Sequence, residues 1–180
     1  MSMSQRPVVE QLHSIDSEPL VLVPGLNCTD ALFAPQIRAL AGERAVVVAE
    51  NRLDETLEGM AQRLLAGAPE RFALGGLSMG GYVALAVMRL APERVTRLAL
   101  LDTTARPDTE EASANRRRLV ALAEQGRFEE VHPVLWQRLV ARERLSDKAL
   151  EGEVRGMMVD TGAQAFIRQQ RAIIARPDAR

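Results

Sequence analysis

The sequence predicts an α/β fold: a parallel sheet with helices on both faces, followed by a helical cap. Three observations predict it. Short apolar runs alternate with helix-period segments as far as Asp102, a glycine-flanked serine joins one such run to an apolar helix, and no further strand-like run follows. The division is residues 1–102 as the sheet-bearing core with the serine turn, and residues 103–180 as the cap.

Leu20-Val21-Leu22-Val23 reads as a buried strand closed by Pro24-Gly25. Asp30 is the expected cap of a helix that puts Leu32, Phe33, Ile37 and Leu40 on one side and stops at Gly42. Ala45–Ala49 is a second strand. Asp54 is the expected cap of the next helix, with Leu57, Met60, Ala61, Leu64 and Leu65 at helical spacing before Gly67 and Pro69. Arg71–Gly75 is a third strand, Met79–Leu90 a helix apolar almost all round, and Arg97–Leu101 a fourth strand. Three or four amphipathic helices then carry Leu119, Val120 and Leu122; Phe128, Val131, Leu135 and Leu139; Leu150, Val154, Met157 and Met158; and finally Phe166, Ile167, Ile173 and Ile174. Such a run lies over the carboxyl edge of a sheet, where open α/β sheets place their ligands.

Composition narrows the function classes. The chain has 180 residues, 47% hydrophobic and 26% charged, enough for one domain with a substantial core. Its 23 basic and 24 acidic residues give a net charge of −1, which excludes a large basic surface for nucleic acid or anionic membrane. Arg116-Arg117-Arg118 is the densest basic run and reads as a solvated helix face. Cys28 stands alone, and His13 and His132 are too scattered for a metal site. The polar start and the lack of a long apolar run make the expected location cytoplasmic.

The chemistry centres on Gly76-Leu77-Ser78-Met79-Gly80. A G-x-S-x-G match alone is a weak signal, but here it lies between an apolar strand and a buried helix, the setting that a nucleophile elbow requires. A serine there is held on a strained turn with its hydroxyl in the open, at a helix N-terminus whose unpaired amides favour a developing negative charge. Met79 supplies one oxyanion-binding amide. Leu26, in the loop Pro24-Gly25-Leu26-Asn27-Cys28, supplies the second. Asn27 orients substrate or makes a turn, and Cys28, with no base or charged partner, is a packed residue rather than a second nucleophile.

These residues resemble the α/β-hydrolase superfamily, in its compact bacterial esterase and acyl-ester hydrolase branch. The resemblance rests on Leu22–Leu26, on Arg71–Leu85 and on Leu100-Leu101-Asp102-Thr103, and covers nearly the whole chain. It implies a serine hydrolase of carboxylic esters or thioesters, acting on a small-molecule ester by acyl transfer through Ser78, with no cofactor and with a helical cap over its pocket. Family members continue past the cap into two more strands that carry the triad aspartate and histidine. This chain is expected to be the N-terminal part of the fold, lacking those last two strands, and inactive or nearly so. Asp102 stands where some hydrolases keep an alternative triad acid, although without a histidine to orient it a loop-turn role is the better reading. An open edge on the fourth strand invites self-association. The alternative is a non-catalytic ligand-binding or scaffold protein that keeps the pocket. Nucleotide binding fits poorly, because neither G-x-G-x-x-G nor a P-loop lysine is present.

Overall fold

Leu20–Val23 has an unbroken apolar sequence because it lies inside the sheet, with a parallel neighbour on each side. In a computed structural model, which describes residues 17–180, this strand (β1) pairs with Val46–Val48 (β2) and with Phe72–Leu77 (β3). Val95–Leu101 (β4) pairs with the far side of β3, giving the parallel order β2-β1-β3-β4. Register matters here. Val23 lies opposite Gly76, and Leu77 opposite Leu101, so the carboxyl ends of the three strands finish together.

Helices cover the sheet: Ala34–Leu40 (α1), Leu57–Gly67 (α2) and Met79–Leu90 (α3). Two of the expected caps are displaced. Thr29, not Asp30, accepts from the Ala31 N–H at the start of a short 3-10 turn that leads into α1. Thr56, not Asp54, caps α2, its hydroxyl accepting from the Gly59 N–H at 3.0 Å. The reason is geometric: each threonine is the last extended residue before the turn begins, so its oxygen is within reach of the free amides. Asp54 instead holds Arg63, farther along α2, at 2.7 Å.

Glu110–Glu124 (α4), Val131–Leu139 (α5) and Lys148–Ile174 (α6) follow β4, with no strand between residues 103 and 180. The two last helical segments read from the sequence are joined end to end in α6 and break at Gly162, whose φ of 75° and ψ of 159° suit glycine. Among the described residues no helix is long and apolar enough to cross a membrane.

Two apolar clusters result. One gathers Val21 and Val23, the inner faces of α2 and α3, and Ala172 and Ile173 from the end of α6. The other joins Leu119, Val120 and Ala123 to Val131, Phe166 and Ile167. Leu26 packs against both. On β4, Leu98, Leu100 and Leu101 are 40–47% exposed, and the strand's outer edge is unpaired among the described residues.

Candidate active site

Ser78 is the residue between β3 and α3, and its backbone sits at φ 53°, ψ −113°. An L-residue pays for that conformation in steric strain, so the surroundings must enforce it. They do so from β4. The Ser78 N–H donates to the Leu101 carbonyl at 2.9 Å, and its carbonyl accepts from the Gly81 N–H at 2.9 Å and from Thr103 Oγ1 at 2.8 Å.

The glycines around it are required by close approach. A Cβ on Gly76 would lie 2.4 Å from the Gly80 carbonyl oxygen, and one on Gly80 would lie 2.0 Å from that of Val23. Backbone therefore touches backbone where β1, β3 and α3 meet. A Cβ on Gly25 would come 3.7 Å from Ser78 Cβ, which sets the loop after β1 directly beside the serine.

That loop is tied down from far away in sequence. The Asn27 N–H donates to Gln169 Oε1 at 3.0 Å; Gln169 Nε2 donates to Asn51 Oδ1 at 3.2 Å and to its carbonyl at 3.3 Å; Asn51 Nδ2 donates to the Pro24 carbonyl at 2.9 Å. All three amide residues are buried. Asn27, like Ser78 and Asp102, is a non-glycine residue with positive φ, and all three lie just past the carboxyl ends of β1, β3 and β4. Strain concentrates at one end of the sheet, as it does at ligand-handling sites.

Leu26, Ser78 and Asp102 line a cavity of about 350 Å³ between the sheet's carboxyl edge and helices α4, α5 and α6. Its walls are mostly aliphatic, including Leu119, Leu135, Leu139, Val154 and Ile173, with Asn115, Arg116, Arg138 and Gln170 among the polar residues. Met79 contributes no wall, since its side chain is buried in the core beneath. The backbone N–H groups of Leu26 and Met79 have no hydrogen-bond partner among the described residues. Asp102 is exposed on the cavity rim and makes no ion pair among the described residues.

Other candidates lie elsewhere. His132 is buried in α5, stacked on Trp136 and 3.6 Å from Glu151, away from the cavity lining. His13 lies outside the described residues. Cys28 touches the cavity, but its thiol donates to the Leu26 carbonyl and burial pushes its pKa up to about 11, so it is held as the neutral thiol.

Reading the sequence did not single out Gln169, Gln170 or Asn51, and placed Arg116 on a solvated face. Arg116 instead points inward: it is 24% exposed, bonds Asp108 at 2.6 Å and donates to Gln170 at 2.9 Å. A signal was present. Arg116 falls at helical spacing with buried Ser113, Val120 and Ala123, and both glutamines fall between Phe166 and Ile173 on the inner face of α6.

No protein-family model matches the chain, and the search of curated proteins gave no match. Solved structures do match. A thermophilic esterase from Thermogutta terrifontis, with malate bound, superposes with a TM-score of 0.79 at 28% identity, over 90% of this chain and 65% of that one. An enol-lactonase from Burkholderia xenovorans LB400 gives 0.74 at 21% identity, over 88% of this chain and 66% of its own. A hydrolase from Pseudomonas aeruginosa PA01 gives 0.73 at 20% identity, over 88% and 64%. The chain thus spans slightly under two thirds of the length of the structures it resembles. Its parallel sheet, its helical layers and these likenesses establish that the chain has the α/β-hydrolase fold and fits the N-terminal part of it.

Proposed function

We propose that the chain carries the nucleophile and the oxyanion-binding part of a serine hydrolase of carboxylic esters or thioesters. The observation that carries this reading is the strained Ser78 at the N-terminus of α3, opening on a largely aliphatic cavity beside a loop with an unpaired amide. Ser78 Oγ attacks the ester carbonyl carbon while a base takes its proton. The carbonyl oxygen becomes an oxyanion that accepts from the Leu26 and Met79 N–H groups. The C–O or C–S bond then breaks, the leaving group departs with a proton, and water releases the acyl group from Ser78. The cap helices α4 to α6 hold the acyl chain, and the neighbours' hydrolase and esterase activities agree with this class of chemistry.

The proton acceptor sets the rate. Among the described residues no histidine reaches Ser78, and loss of one triad member costs about a million-fold in turnover in a studied serine hydrolase. The 180-residue chain by itself should therefore hydrolyse p-nitrophenyl acetate and butyrate at close to background rate. Fast turnover lost in Ser78→Ala would mean that a base is already in place; fast turnover that survives Ser78→Ala would mean a different nucleophile. A second reading is a ligand-binding protein of this fold, which ligand binding without any acylation of Ser78 would support. The open, apolar edge of β4 is the surface through which self-association is proposed, tested by the concentration dependence of the molecular mass in solution.

A further inference from the structure

Two guanidinium groups share one carboxylate behind the cavity. Asp108 Oδ2 holds Arg116 Nε at 2.6 Å, and Asp108 Oδ1 holds Arg176 Nη2 at 2.8 Å. The Asp108 and Arg176 side chains are only 6% and 5% exposed. Arg176 has its own company, since it donates to the Arg106 and Ile173 carbonyls and lies over the Tyr82 ring at 4.2 Å. Arg116 is the member that lines the cavity, so the cluster's unmatched positive charge faces the space beside Ser78.

Gln170 adds a donor at the same place. Arg116 can only donate, so the Gln170 oxygen must face it, as the 2.9 Å contact from Arg116 Nη1 requires, and the amide nitrogen is turned elsewhere. Gln170 is fully buried, lines the cavity, and its Nε2 has no partner among the described residues. Arg116 Nη2 also makes no hydrogen bond there. A buried amide donor without an acceptor is rare in a settled core. An unpaired amide donor and an unpaired guanidinium nitrogen on two residues in contact, next to a surplus positive charge, match a carboxylate, which accepts on both oxygens.

We propose that the cavity takes an ester whose other end is a carboxylate, held by Arg116 and Gln170 while the ester carbonyl lies at Ser78. This rests on the Ser78 reading for which end of the ligand reacts, and it names the substrate class of that site. Arg138, the other cationic wall residue, is exposed and Asp102 sits at the rim, so neither competes for the buried donors.

The test is a titration of the 180-residue chain, followed by NMR, with monomethyl glutarate and with dimethyl glutarate, which share one ester end and differ only in the charge of the other. The half-ester should bind roughly tenfold or more tightly, the ratio expected for hydrogen bonds to a charged acceptor. Gln170→Glu places a carboxylate against Arg116 and should bring the two dissociation constants within about twofold while the melting temperature holds or rises. Gln170→Leu should lower the ratio without reversing it. Equal affinities in the unaltered chain, or a preference that survives Gln170→Glu, would overturn the proposal. Covalent labelling of Ser78 separates this from the nucleophile reading. Labelling with equal affinities sinks the carboxylate site alone, whereas a half-ester preference without labelling at Ser78 sinks the nucleophile and leaves the site.

Discussion

The backbone N–H of Asn27 donates to Gln169 Oε1 across 142 residues of sequence, so the loop that carries Leu26 is positioned by α6 rather than by its own strand. Gln169→Leu removes this bond and the two that Gln169 gives to Asn51, leaving buried amides unpaired. The expected cost is about 3 kcal/mol of stability, read from the urea midpoint. On the proposed oxyanion role of the Leu26 amide, any covalent reaction at Ser78 should also slow by about tenfold or more. A variant as stable and as reactive as the parent would show that the loop holds itself.

Gly80→Ala is expected to be among the most damaging small substitutions in the chain. Its Cβ would enter the Val23 carbonyl at 2.0 Å, a backbone atom that cannot move without pulling β1 from β3. A loss of about 3 kcal/mol or more should follow. Gly42→Ala, with open space around its Cβ, should stay within about 0.5 kcal/mol. Equal denaturant midpoints for the two variants would remove the argument that packing demands glycine at this turn.

The strands were the most legible part of the fold. Leu20–Val23 stands as read, and β2 and β4 differ from their expected bounds by a residue or two, because short apolar runs bounded by turns admit few other structures. The run Arg71–Gly75 continues as strand through Gly76 and Leu77, since Gly76 pairs with Val23 and Leu100 and is strand by its partners rather than by propensity. At the candidate site, Ser78, Leu26 and Asp102 meet at one cavity, and each was visible at the end of an apolar run. The supporting residues were not. Asn51 and Thr103 act through contacts that join distant segments, and Gln169, though placed inward by its helical spacing, has partners that no local spacing reveals.

Asp108 should make stability fall in acid. Burial raises its pKa, but the hydrogen bonds from Arg116 and Arg176 outweigh this, and the net effect holds the carboxyl below its ordinary value. A depressed folded-state pKa stabilises above the unfolded value, near pH 4, and that contribution is lost as the pH falls through the folded value. Asp108→Asn leaves two arginines without their shared anion, an expected cost of about 3 kcal/mol at pH 7. The gap between parent and variant should close as the pH drops below about 4. A gap constant from pH 7 to pH 3 would mean that the pair contributes shape and not charge.

Cys28 should resist alkylation in the folded chain. With its pKa raised from 9.0 to about 11, it carries about a hundredfold less thiolate at neutral pH than an ordinary cysteine. Iodoacetamide at pH 7.5 should modify the unfolded chain at least tenfold faster than the native one. Comparable rates would reveal an activated thiol beside Ser78 and a competing nucleophile.

Mass spectrometry of the intact chain and of its peptides, after long incubation with an alkyl fluorophosphonate, bears most directly on Ser78. Phosphorus is attacked by the serine oxygen and fluoride leaves, so the adduct records the nucleophile even where turnover is lost. The expected result is one adduct per chain, on Ser78, formed slowly, hastened by added imidazole acting as an external base, and missing in Ser78→Ala. Adducts spread over other hydroxyl groups, or unchanged labelling in Ser78→Ala, would contradict the assignment of Ser78 as the nucleophile.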